Sequence, residues 1–144
     1  MRPFKQFVKD VAQRESSGRY NITNQFGMLG AFQFSPSTLK NYVGIDISAE
    51  DFLNNPELQI GAFRQLLLNN HRSYKKYVDA WNFKKMKNIK GTVTESGILM
   101  AFHLRPESAI AFFNSGGKDL GKPDGNGIYV NHYIELFNGY ELPF

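Results

Sequence analysis

A chain of 144 residues has the length of about one domain, and its 42% hydrophobic and 15% aromatic side chains, 13 Phe among them, exclude a disordered segment. The absence of Cys excludes disulfides and thiolate metal sites and leaves both redox compartments open. The formal charge of +4 is modest, and the longest apolar runs, Ile98 to Phe102 and Ala109 to Phe113, are far shorter than the roughly 20 residues of a membrane-spanning helix.

The first predicted element is a helix that places Phe4, Val8, Val11 and Glu15 on one stripe, with Phe7 and Ala12 beside them and Gly18 as its stop. Arg2 and Lys5 lead into this amphipathic pattern and not into the apolar stretch of a secretory signal, so no signal peptide is recognised. Residues 19 to 34 mix turn formers with aromatic and branched side chains and read as an irregular connection or a small β-hairpin. Ser35-Pro36, Ser48 and Asn55-Pro56 each place a capping residue at a helix start. The third of these helices is expected to run into the region of Tyr74 to Val78, with Leu58, Ala62, Leu66 and Asn69 or Asn70 on its apolar side.

From Arg72 to Lys90 there are seven basic residues against one acid, Asp79, a run able to attract a polyanion or to serve only as a solvated face. Asn82 to Gly91 is a connection or a short helix. Thr94 is read as the cap of the next helix, Pro106 opens another that Gly116-Gly117 stops, and a polar turn at 122–127 precedes a last helix bearing Val130, Tyr133, Ile134 and Phe137. The expected architecture is a single, mainly α domain over 1–144.

Glu15 closes a stripe of apolar side chains. A carboxyl group desolvated there keeps its proton toward neutrality, the property a general acid needs to protonate a poor leaving group; an ion pair at the helix edge is the competing reading. Gly27 and Gly30 allow tight turns or close approach of a bulky ligand. Gln33 offers both an amide donor and an acceptor to a ligand. Ser16 is either a ligand contact or a helix-end cap, and Tyr20 and Phe32 are either ligand-facing walls or core. Most of the other Phe, Phe102 included, are assigned to the core. The three His never form a metal-binding spacing and 124–127 lacks the ligand order of a calcium loop, so no metal or cofactor is expected.

Glu15-Ser16-Ser17-Gly18, Gly27-Met28-Leu29-Gly30-Ala31-Phe32-Gln33 and Ser35-Pro36-Ser37-Thr38-Leu39, in this order, resemble the signature of lysozyme-like lytic transglycosylases and related phage-type muramidases. Ala101-Phe102-His103 falls where that family has Ala-Tyr-Asn, and Asn55 to Gln59 resembles the start of the intervening helix. The resemblance implies a lysozyme-like fold with a small irregular or β-hairpin segment beside a catalytic groove. It also implies cleavage of the β-1,4 bond between N-acetylmuramic acid and N-acetylglucosamine, Glu15 acting first as acid and then as base to leave a 1,6-anhydromuramyl end.

Substrate contacts are expected from Ser16, Tyr20, Phe32, Gln33, Phe102 and His103, with backbone approach at Gly27 and Gly30. Phe102 lacks the hydroxyl of the family tyrosine. A hydrolytic muramidase would need a second carboxylate; after Glu15 the next acid is Asp46, and Glu95, at the start of the helix leading to His103, is the candidate. The non-enzyme alternative is a basic cell-wall or nucleic-acid binding module using residues 72–90. The partners expected are peptidoglycan strands and anionic wall polymers, for a monomer made in the cytoplasm that acts in the periplasm or at the wall after lysis-associated release or specialised delivery.

Overall fold

The computed structural model describes residues 1–144 as seven α-helices joined by irregular segments. These are α1 (Phe4–Ser16), α2 (Ala49–Leu53), α3 (Pro56–Ser73), α4 (Lys75–Trp81), α5 (Glu95–Leu104), α6 (Pro106–Asn114) and α7 (Val130–Phe137), with a π-helical turn over Thr38–Val43 between α1 and α2. No helix is long and apolar enough to cross a membrane. By Cα proximity the chain forms two compact units, one of Phe4–Asn69 with Pro143–Phe144 and the other of Asn70–Leu142 with Met1–Pro3.

Helix starts follow local capping chemistry. Ser35 Oγ accepts the Thr38 amide at 3.0 Å, Ser48 Oγ that of Asp51 at 3.1 Å, and Asn55 Oδ1 that of Leu58 at 3.1 Å. Thr94 departs from this pattern: its hydroxyl makes no cap bond and instead accepts the Gly139 amide at 2.7 Å, while the Glu95 amide goes to Asn82 Oδ1 at 2.9 Å. The third expected helix is broken at Tyr74 (φ −116°, ψ 23°), so α3 and α4 are separate elements. Residues 82–91 are turns and loop, not a helix.

In the 4–69 unit, aromatic packing forms the centre. Phe32 lies parallel to Phe63 with ring centroids 4.4 Å apart, Phe7 stacks on Phe63 at 5.9 Å, and Tyr20 meets Phe32 edge-on at 6.1 Å. The buried side of α3 consists of Gln59, Ala62, Phe63, Leu66, Leu67 and Asn70, one helical face. That face begins one residue later than the sequence reading placed it, since Leu58 is only half-buried. Between α1 and the π-helical turn there is no strand, only isolated antiparallel bridges pairing Leu29 with Thr23 and with Phe34.

In the 70–142 unit, α5 is the central element, with Ser96 to Phe102 buried without interruption. It lies against α7, where Gly97 lacks the Cβ that would collide with Ile134 O and Asn138 Oδ1. Ser96 Oγ donates to Phe137 O at 2.6 Å and Asn138 Oδ1 accepts the Thr94 amide at 2.9 Å, so the polar atoms at this junction are satisfied. Arg2 belongs to this unit: its amide bonds Gly139 O at 2.9 Å, its carbonyl accepts the Glu141 amide at 2.7 Å, and its guanidinium covers the Tyr140 ring at 3.9 Å.

Candidate active site

The apolar stripe of α1 buries Phe7, Val8, Val11 and Ala12 and brings Glu15, in the last turn, to a half-buried position. The carboxyl group is therefore fixed by a packed helix and still reached by solvent, at the edge of the apolar stripe. The helix ends immediately afterwards. Ser16 is buried, its Oγ donating to Ala12 O at 2.9 Å and accepting the Arg19 amide at 3.1 Å. Its hydroxyl is thus spent on the helix end, the capping role and not the sugar contact.

The segment after Gly18 is held by a residue that sequence reasoning had not singled out. Gln59 is 1% exposed; its Nε2 donates to Tyr20 O at 2.8 Å and Phe52 O at 3.0 Å, and its Oε1 accepts the Ala31 amide at 2.9 Å. One buried amide thereby fixes three chain segments, because leaving any of these polar groups dry and unpaired costs about 1–3 kcal/mol. The signal for it was present, a polar residue opening the inward side of α3 ahead of Ala62, Phe63, Leu66 and Leu67.

Gly30 is explained by the same residue. At φ 74°, a Cβ there would collide with Gln59 Oε1, so the glycine makes way for the buried amide and not for a ligand. Gly27, at φ 78°, has open space where a Cβ would stand, so its glycine answers the backbone angle of a turn. That turn is built by Asn24, whose Oδ1 accepts the amides of Phe26 at 2.8 Å and Met28 at 2.9 Å. The result displays Phe26, 75% exposed, at the tip. A Phe set between turn residues was the clue to this outward position.

Gln33 is half-buried with φ 54°, a left-handed conformation unusual for a side chain of its size, and its Nε2 donates to Gly30 O at 2.8 Å. Of the expected saccharide walls, Phe32 is fully buried in the aromatic centre and has no face to offer a ligand. Tyr20 is half-buried, and desolvation pushes its phenol above the ordinary 10.0, so it stays a neutral hydrogen-bonding hydroxyl through the physiological range.

The remaining expected residues lie in the 70–142 unit. Phe102 is buried against Tyr74, the rings stacked at 3.8 Å, with Tyr77 at 5.4 Å and Phe113 at 5.7 Å, which makes it core and not a substrate contact. His103 is half-buried one residue further along α5. Glu95, in the first turn of α5, is bonded through Oε1 to His71 Nδ1, an interaction across 24 positions that no local pattern announces.

A family model described as the transglycosylase SLT domain matches residues 4–125 of the chain. No curated protein and no solved structure gives a significant match.

Proposed function

The chain belongs to the transglycosylase SLT family and is a peptidoglycan lytic transglycosylase, and from that premise we propose that Glu15 carries the chemistry alone, as acid and then as base. The observation that supports this reading most is the position of Glu15: a half-buried carboxyl group on a packed helix end, in the unit that also holds the Gln59-anchored loop and Gln33. Glu15 protonates the oxygen bridging N-acetylmuramic acid to N-acetylglucosamine as the anomeric C–O bond breaks. The resulting carboxylate then takes the proton from the muramyl 6-hydroxyl while that oxygen bonds to the anomeric carbon, giving a 1,6-anhydromuramyl end and no net uptake of water.

Tyr20, Gln33 and Phe26 are the groups proposed to meet the glycan, Tyr20 and Gln33 through hydrogen bonds and Phe26 through its exposed face. His103 is proposed as a further contact from α5. Residues 1–144 are proposed to act as one catalytic domain, because the family match runs through the junction of the two compact units at Asn69 and Asn70. The exposed basic run at 72–90 would add long-range attraction to anionic wall polymers, and the site of action is proposed to be the periplasm or wall, reached by lysis-associated release or specialised delivery.

Glu15→Gln is expected to lower cleavage of purified peptidoglycan by about two to four orders of magnitude with the thermal unfolding midpoint unchanged. Mass spectrometry of the muropeptides from the unaltered protein is expected to show anhydromuramyl ends. One specific observation favours a second reading: Glu95 is half-buried and oriented by His71, as a carboxylate that activates water would be. Reducing muramyl ends, together with loss of cleavage in Glu95→Gln, would replace the transglycosylase mechanism by hydrolysis.

A further inference from the structure

The loop at 82–93 contains four lysines, Lys84, Lys85, Lys87 and Lys90, and no acid. All four are exposed, yet the loop is a built structure. Met86 is buried beneath it, the Phe83 amide bonds Val93 O at 2.8 Å, and the Val93 amide bonds Lys84 O at 2.8 Å. Asn88 Nδ2 donates to Gly117 O at 2.8 Å, and the Lys90 amide goes to Glu135 Oε1 at 2.9 Å, so the loop is also tied at its far end. Within this frame Phe83 is 66% exposed and held at φ 63°. A bulky residue in the left-handed region is a steric outlier, and an exposed phenyl ring gains nothing from water.

Charge attraction to a hydrated polyanion uses the lysines and leaves Phe83 without a purpose. A single-stranded nucleic acid would use rings in series as stacking platforms, and Phe83 is the only large apolar side chain that this loop exposes. A lipid surface uses both parts at once, since cations meet headgroup phosphates while one aromatic ring settles at headgroup depth. We propose that the 82–93 loop is a docking surface for anionic lipid headgroups, with Phe83 entering the interface and Lys84, Lys85, Lys87 and Lys90 facing the phosphates. Docked in this way, the loop gives the enzyme a means of working beside a membrane while it cleaves glycan.

Co-sedimentation of the full chain with phosphatidylcholine vesicles, with and without about one third phosphatidylglycerol, tests the assignment. Binding is expected only to the anionic vesicles. Combined Lys84→Glu, Lys85→Glu and Lys87→Glu should weaken it by about a hundred-fold or more, and Phe83→Ser by about ten-fold. Circular dichroism checks that both variants fold, and cleavage of soluble glycan fragments, which carry no wall polymer, checks that Phe83→Ser leaves the chemistry untouched. Binding of oligothymidylate provides the polyanion arm and is expected to be indifferent to Phe83→Ser. Vesicle binding that ignores Phe83→Ser, equal binding to neutral vesicles, no binding at all, or oligothymidylate binding that depends on Phe83 would each overturn the proposal.

Discussion

The loops at 20–34 and 82–93 are built alike and charged differently. Each lacks strands, is tied to its unit by buried groups, contains a residue other than glycine in the left-handed region, and presents one exposed Phe. The first contains no ionisable acid or base besides Tyr20, whereas the second carries four lysines. Uncharged hydrogen-bonding groups around an aromatic ring suit a neutral sugar; cations around one suit an anionic surface. Scaffolding and recognition are thus separable: buried Gln59 and Met86 hold the loops, and the outward residues determine what each meets.

The largest effect on this comparison is expected from removing an anchor. Gln59→Leu leaves Tyr20 O and the Ala31 amide without their partner and Phe52 O with the Asn55 amide, and should cost about 3 kcal/mol in urea unfolding. Hydrogen exchange should rise at 20–34 while 82–93 stays protected. Gly30→Ala, which drives a methyl group into Gln59, should cost about 2 kcal/mol, and the double variant should cost less than the sum because both changes act on one contact. Strict additivity would show that the loop is held in some other way.

Next in size is a crossed exchange of the two exposed rings. Phe26→Ala is expected to raise KM for glycan by about ten-fold with little change in kcat, the loss of one aromatic contact, while Phe83→Ser leaves both constants alone. If Phe83→Ser also raised KM, the division of labour between the loops would fail. Backbone conformation offers a smaller probe. Phe83→Gly should stabilise the protein by about 1 kcal/mol in thermal melts, since glycine is at ease at φ 63°. Gln33→Gly should leave stability within about 0.5 kcal/mol, the lost bond to Gly30 O offsetting the relief, and should lower kcat/KM.

The smallest expected effect is confined to alkali. Burial raises the Tyr20 phenol above its unfolded value of 10.0, so folding stability is whole below that pH. It falls as pH climbs from 10.0 through the raised native value, because the unfolded chain ionises first. Tyr20→Phe should remove that decline from a pH series of melts.

Where a residue acts on its near neighbours, the sequence made the fold legible. Ser35, Ser48 and Asn55 cap helices because the amides they satisfy lie three positions away. Thr94 looked the same and was not, because its hydroxyl is taken by Gly139, 45 positions on. The bond between His71 and Glu95, 24 positions apart, was hidden for the same reason. In the site, Glu15, the turn at Gly27 and the core place of Phe102 follow from sequence pattern, while the rings on which Phe32 and Phe102 stack lie distant in sequence. Gln59 lay between these cases: its place on α3 was readable, but its three partners were not.

The clasp between Arg2 and residues 139–141 has a consequence in time. Its two backbone bonds and the cation lying over Tyr140 join positions 139 apart in the chain for the Arg2–Glu141 bond, a loop whose closure is entropically late. On a ribosome, Arg2 must wait for α7 and the residues after it before it finds its place. The opening residues therefore act as a latch, and a stretch cut out at 70–142 would fold, if it did, with its latch missing.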